Sequence, residues 1–433
     1  MTRYRQWRLL AAGGVLAAAA LGGCGSPEPA APPATLPYAD EYPAIGYAAN
    51  EPEGPLGQLA RRLGGGAAGL SFRPGRGYLD AVLEELAIDP SSQVLVFSRT
   101  SLQTRHIGPA TPRAIYFNDE SYVAFVPGAP SLELAGFDPG LGPVFYNLAQ
   151  DGSAGSGVER RQGACLRCHD TYGLSGGGVP RFLLGSGYTG TDGELVSHEA
   201  WILTDQATPL RSRWGGWYVT GRHGAEVHLG NIVVEKAEDL GDLEALRVGN
   251  VDELGALLDT SQYPTPYSDI VALMVLEHQV EVQNLISRLR FETVGRSDAD
   301  SEPPAEHVDA LVAAMLMAGE ARFVDPISGG SGFSEHFESL GPFDSEGRTL
   351  RELDLETRLF RYPLSYLIYS DAFQALPRAA RDAVYARLRP ALEGAPGQAD
   401  APAAALAEGD RAAIRGILRE TLPEVLSPQA DSG

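Results

Sequence analysis

Cysteine is scarce in this chain, with three among 433 residues, at positions 24, 165 and 168. So small and odd a set excludes a disulfide framework. Lysine is scarcer still: Lys236 stands alone, and every other basic side chain is arginine or histidine. Positive charge is in deficit overall, 34 Lys and Arg against 56 Asp and Glu, for a net charge of −22. A phosphate backbone needs a basic face, so this balance excludes nucleic-acid binding as the main role. It fits a soluble, self-repelling protein whose partners are basic. After the N-terminus, no apolar run reaches the roughly 20 residues of a membrane-spanning helix.

The N-terminus carries an export pattern. Arg3, Arg5 and Arg8 precede an apolar and small-residue run over 9–21, too short to span a bilayer. "LGGC" at 21–24 resembles the lipobox of bacterial lipoproteins. That resemblance implies cleavage before Cys24 and acylation of its sulfur, with residues 1–23 as signal peptide. Gly25 follows the cysteine where aspartate would suggest inner-membrane retention, so an outer-membrane, periplasm-facing anchor is expected. Residues 24–44, rich in proline and alanine, read as a tether.

The other two cysteines stand together in "GACLRCHD" at 163–170, with His169 directly after Cys168. Cys-x-x-Cys-His is the spacing of c-type haem attachment. Each thiol adds to one vinyl group of the porphyrin, and the next residue puts an imidazole beneath the iron. One turn of helix does both. A zinc site would need four ligands, and only His223 and His228 offer another close pair. A redox dithiol would need a strand before and a helix after, which "RRQGA" and "DTYGLSGGG" do not suggest. The motif resembles the cytochrome c family. The resemblance implies one covalent haem c, thioether bonds at Cys165 and Cys168, and His169 as proximal ligand. In that family a Gly-Pro loop follows, whose proline carbonyl takes the ring N–H of that histidine. "SGGGVPRFLLG" looks like this loop, with Pro180 in the corresponding place.

The sixth ligand departs from the family pattern. The first methionine after His169 is Met274; His198, His223 and His228 lie between. His223 sits in "RWGGWYVTGRHGAEVHLGN", 213–231, between glycines that admit close approach to a ligand. Arg211, Arg213 and Arg222 can pair with haem propionates. The same stretch also reads as a hairpin with a solvated turn histidine. "YSDIVALMVLEHQVEVQNLISRLRF", 267–291, reads as a helix capped by Ser268 or Asp269, with Met274 and His278 on one face. It is equally a core helix with one satisfied histidine. The distal ligand is therefore open among His223, which comes first, His228, Met274, His278 and none. Methionine raises the potential relative to two imidazoles, and an open iron admits peroxide or gas chemistry.

The fold class expected is α+β. A β-rich part spans 45–160, a haem segment 161–265, and a mainly helical part 266–425. "QVLVFSRTSLQ", "RAIYFNDESYVAFVP", "SLELAGFDP" and "GPVFYNLAQ" read as short strands between turns. Helices are expected at 268–291, 305–318, 350–373, 378–392 and 404–421, with the aromatic run 358–373 in the core. "RAIYFNDESYV", "RWGGWYVTGRHG", "MVLEHQVEVQNLI" and "RLFRYPLSYLIYS" resemble stretches of long, exported, single-haem cytochrome-c-like proteins of unassigned function. The function expected is one-electron transfer between periplasmic redox proteins, the acidic surface docking basic partners. The alternatives are a peroxidase-like enzyme or gas sensor with an open iron, using His278 and Glu277, and a scaffold stabilised by haem.

Overall fold

The computed structural model describes residues 42–64, 66, 69–153, 157–171, 177–197, 201–235, 247–294, 302–394 and 406–427. The signal segment, Cys24 and His198 lie outside them, as does most of the helix and loop expected after Lys236. The described residues belong to one compact unit. One apolar core runs through it from Tyr42 to Val425.

The architecture is α+β. Helices α1 (Pro55–Leu63) and α2 (Leu79–Glu85) precede β1 (Val94–Val96). The alternating stretch that follows becomes β2 (Arg113–Phe117), β3 (Ser121–Phe125), β4 (Ser131–Asp138) and β5 (Gly142–Ala149), then the edge strand β6 (Val158–Arg160). The turns follow from their residues. Asn118 Oδ1 accepts the N–H groups of Glu120 and Ser121 at 3.1 and 2.9 Å. Asp138 Oδ1 does the same for Gly140 and Leu141. Helix α3 (Gln162–His169) carries the cysteine motif; β7 (Gly185–Ser186), β8 (Thr189–Gly190), β9 (Ile202–Leu203), β10 (Trp217–Tyr218) and β11 (Val233–Val234) follow. The main sheet has seven antiparallel strands in the order β10-β1-β2-β3-β4-β5-β6. β7 pairs with β9 and β8 with β11.

The two faces of this sheet differ. Ala114, Tyr116, Val123, Phe125, Leu132 and Leu134 alternate onto one face and are buried. Leu56 of α1 packs there against Gly136. The other face meets the long helix α4 (Ile270–Val294) through Tyr122, whose hydroxyl donates to Gln283 at 2.6 Å. Asp269 caps α4, its Oδ1 taking the N–H groups of Val271 and Ala272. Helix α4 is buried on nearly every side. Its polar side chains reach partners: Gln279 binds Asn118, Tyr122 and Tyr366. Glu277 pairs with Arg213 at 2.8 Å, both buried.

Helices α5 (Ala305–Met315), α8 (Arg378–Glu393) and α9 (Glu408–Thr421) stand close to where the pattern put them, with short α6 (Phe333–Glu338) and α7 (Asp371–Gln374) between. The helix expected over 350–373 is absent. Leu355 has φ of 57°, and the Asp354 carboxylate gathers the N–H groups of Glu356, Thr357 and Arg358 into a turn. Pro363 then offers no N–H to continue a helix. The aromatic run is buried nonetheless, with Phe360, Tyr366 and Phe373 at 1% exposure or less. The alternative hairpin over 217–235 does not form either: the stretch is a loop with His223 buried in it, closed by Asn231, which bonds both backbone groups of Val219 at 2.8 Å. Among the described residues no helix is long and apolar enough to cross a membrane.

Removing one partner of a buried ion pair strands the other charge. Glu277→Ala should therefore cost about 3–5 kcal/mol, read from the urea unfolding midpoint; a loss under about 1 kcal/mol would show that the pair is not buried in solution.

Candidate functional site

Strand β6 leads directly into α3, and the N–H of Arg161 between them bonds the Phe145 carbonyl of β5 at 2.8 Å. The motif is thus held beside β5. A strand does precede the motif, contrary to the sequence expectation; at three residues and half-exposed, β6 leaves no alternation in the sequence. Within α3, Cys165 and His169 are one turn apart and share a face. Cys165 is half-buried, Cys168 is exposed, and both are free thiols.

His169 is pinned from two sides. Its Nδ1 lies 2.8 Å from the Arg181 carbonyl, which only accepts, so Nδ1 carries the proton. The Arg181 N–H returns a bond to the His169 carbonyl at 2.9 Å. The imidazole stacks on Phe145, ring centres 4.5 Å apart. Its Nε2 keeps its lone pair and makes no hydrogen bond among the described residues. The accepting carbonyl is therefore that of Arg181, one residue beyond Pro180, the position the family pattern suggested. Asn284 decides this register: its side chain bonds the N–H and the carbonyl of Phe182 at 2.8 and 2.9 Å.

Burial lowers the His169 pKa to about 4, with the Arg113 charge adding to the effect. Burial, and then the Glu133 charge, push the Cys165 thiol up to about 11. Among the described residues no group of three or more His, Cys, Asp or Glu is placed to hold a metal. A neutral imidazole with a free Nε2, one turn from a thiol, suits a group that is both covalently attached and bound through a metal.

The distal candidates stand elsewhere. His223 follows Thr220, whose carbonyl accepts the N–H of Ile270 at the start of α4. Asn284, which holds the loop beside His169, is about 14 residues on, roughly 21 Å of helix rise. The structure does not bring His223 to His169. His223 and His228 instead face each other, ring centres 4.6 Å apart, with Trp214 against His228. His223 Nδ1 donates to the Glu226 carbonyl, and His228 Nδ1 accepts the Gly230 N–H. Met274 is buried in the core, 2% exposed. His278 has both nitrogens engaged, Nδ1 with Gln206 Oε1 at 2.6 Å and Nε2 with Ser365 Oγ at 2.8 Å. It is the satisfied core histidine that the helical pattern allowed. Arg213 is spent on Glu277, Thr208 and Gln206, and Arg222 pairs with Asp252.

Sequence reasoning missed Phe145, Arg181, Phe182 and Asn284. One signal was available: Gln279, Gln283 and Ser287 recur every four residues along a largely apolar stretch of the helix, with Asn284 beside Gln283. Such spacing marks a polar seam that must find partners inside the core. No family model, no curated protein and no solved structure matches the chain.

Burial holds His278 neutral, with a pKa of about 3. Unfolded, it titrates near 6.5. Its share of stability is complete above that value and is lost as pH falls toward about 3. His278→Gln should therefore lose about 2 kcal/mol less than the wild type between pH 7 and pH 5, measured by urea unfolding at both. Equal acid losses would show that His278 is solvated.

Proposed function

We propose that the chain is a membrane-tethered, periplasmic c-type cytochrome with one covalent haem, passing single electrons between redox partners. The observation that carries the reading is the His169 imidazole, its Nδ1 proton given to the Arg181 carbonyl and its Nε2 free, one helical turn from the Cys165 thiol. The residues fit the group. The thiols of Cys165 and Cys168 add their S–H bonds across two vinyl groups, which needs no oxidant. The protonated Nδ1 fixes the ring and raises the donor strength of Nε2. Bound haem would supply an iron that changes by one electron. The chain contributes a rigid support. His169 is locked to the 181–182 loop, and that loop to α4, so its ring moves little when charge changes. The net charge of −22 favours a basic docking face on the partner and a rate that falls with salt. Acylation at Cys24 would tether the domain through 24–44, the outer membrane being the expected anchor.

A second reading, an open-iron gas sensor or peroxidase-like enzyme, has one specific observation in its favour. His223 lies at the far end of α4 from the loop that holds His169, Met274 is buried in the core, and His278 has both ring nitrogens engaged. Glu277 and His278 do not serve as its acid–base pair, because each is committed to another core partner. His198 lies outside the described residues.

Protein made with a working cytochrome c maturation system should gain the mass of one haem, and the C165A/C168A variant should gain none; bare polypeptide in both would refute the proposal. His223→Ala, His228→Ala and His278→Ala should leave the reduced absorption spectrum of loaded protein unchanged, whereas His169→Ala should alter it. Cyanide or CO binding at millimolar concentration or below would favour the sensor or enzyme over the carrier.

A further inference from the structure

The α4-facing side of the sheet is only partly covered. Phe182 lies on Tyr122 and Phe137, with ring centres 4.7 and 6.1 Å apart, and closes one half. In the other half Arg113, Ile115, Ala124, Glu133 and Ala135 stay half-exposed, although they sit on inner strands of a seven-stranded sheet. Their neighbours on the opposite face are buried, so the exposure belongs to this face alone. Ile115 pairs with Ala124, Ala124 with Glu133, and Ala135 with Phe145. These residues make one continuous surface from β2 to β5, roughly 14 Å across four strands. Two alanines at its centre keep it flat.

The cysteine helix stands at the edge of this surface. His169 stacks on Phe145, the surface's last residue. Ala135 of the surface pairs directly with Phe145, whose carbonyl takes the N–H of Arg161 at the start of the motif helix. Arg113 donates one Nη to Glu133 at 3.3 Å, while its buried Nε finds no acceptor among the described residues. A cavity of about 260 Å³ lies between the 181–184 loop and α4. It falls below the range for drug-sized ligands and is too small for a macrocycle.

We propose that this half-open sheet face is the wall that receives the porphyrin attached at Cys165 and Cys168, with Arg113 as donor to its carboxylates. The inference rests on the haem reading and adds to it the protein surface the macrocycle lies against. A flat apolar ring covers Ile115, Ala124 and Ala135, removing from water the apolar surface left exposed in mid-sheet. A propionate carboxylate supplies the acceptor that Arg113 Nε lacks.

The test places a thiol on the wall by A124C, a small change, and follows maleimide labelling of position 124 by peptide mass. Labelling should be at least tenfold slower in haem-loaded A124C than in the A124C/C165A/C168A chain, which cannot attach the group. Arg113→Gln should change the Soret circular dichroism of loaded protein while leaving the attached mass intact. Equal labelling rates with a loaded protein would overturn the wall, and an unchanged Soret signal would overturn the role of Arg113. A wild type without attached haem would instead overturn the haem reading, and the wall with it.

Discussion

Asn284 grips Phe182 by both of its backbone groups, and the presentation of His169 follows from that grip. A side-chain amide that accepts one backbone N–H and donates to the carbonyl of the same residue mimics a strand partner. It leaves the neighbouring peptide little freedom. Arg181 is that neighbour, and its two backbone groups clamp the ring and the main chain of His169. The proton position on the imidazole is thus set from α4, two residues of loop away. Without the clamp, the ring could place its proton on either nitrogen, and the donor to a metal would be undefined.

Helix α4 can play this part because it is itself immobilised by polar links inside an apolar core. Glu277 reaches the 206–213 loop through Arg213, and His278 joins Gln206 to Ser365. Gln279 and Gln283 bind the turn between β2 and β3 as well as Tyr122. Together these links tie three segments to one strut, and they are costly to break because their partners are largely buried. The cost is a long chain for one candidate centre. What that length provides is a scaffold in which sheet, loop and helix meet at His169, and in which one sheet face stays open beside the thiols.

Legibility in the sequence followed the range of the interactions. The meander 113–149 was readable because alternation and turn chemistry are local, down to the Asn118 turn. The start of α4 was readable for the same reason, since Asp269 caps it. The span 350–373 misled because its apolar content suited a helix, while the left-handed Leu355 and the Asp354 turn depend on only a few side chains. At the site, Cys165, Cys168 and His169 announce themselves by spacing alone. The carbonyl that orients His169 does not, since it is fixed by Asn284 from about 100 residues downstream. Pro180 is one residue away because α4, through Asn284, sets the register of the loop. His223 drew attention for its flanking glycines, but its partner is His228, which only the folded loop brings against it.

The central claim is that His169 offers Nε2 to a metal because Arg181 holds Nδ1, with the two thiols bonded to the same group. A crystal structure of protein matured in cells able to attach haem tests it directly. It should have iron on His169 Nε2, Nδ1 still about 2.8 Å from the Arg181 carbonyl, and both cysteine sulfurs bonded to one porphyrin. A structure with His169 turned away from Arg181, or with two free thiols and no porphyrin, would contradict it.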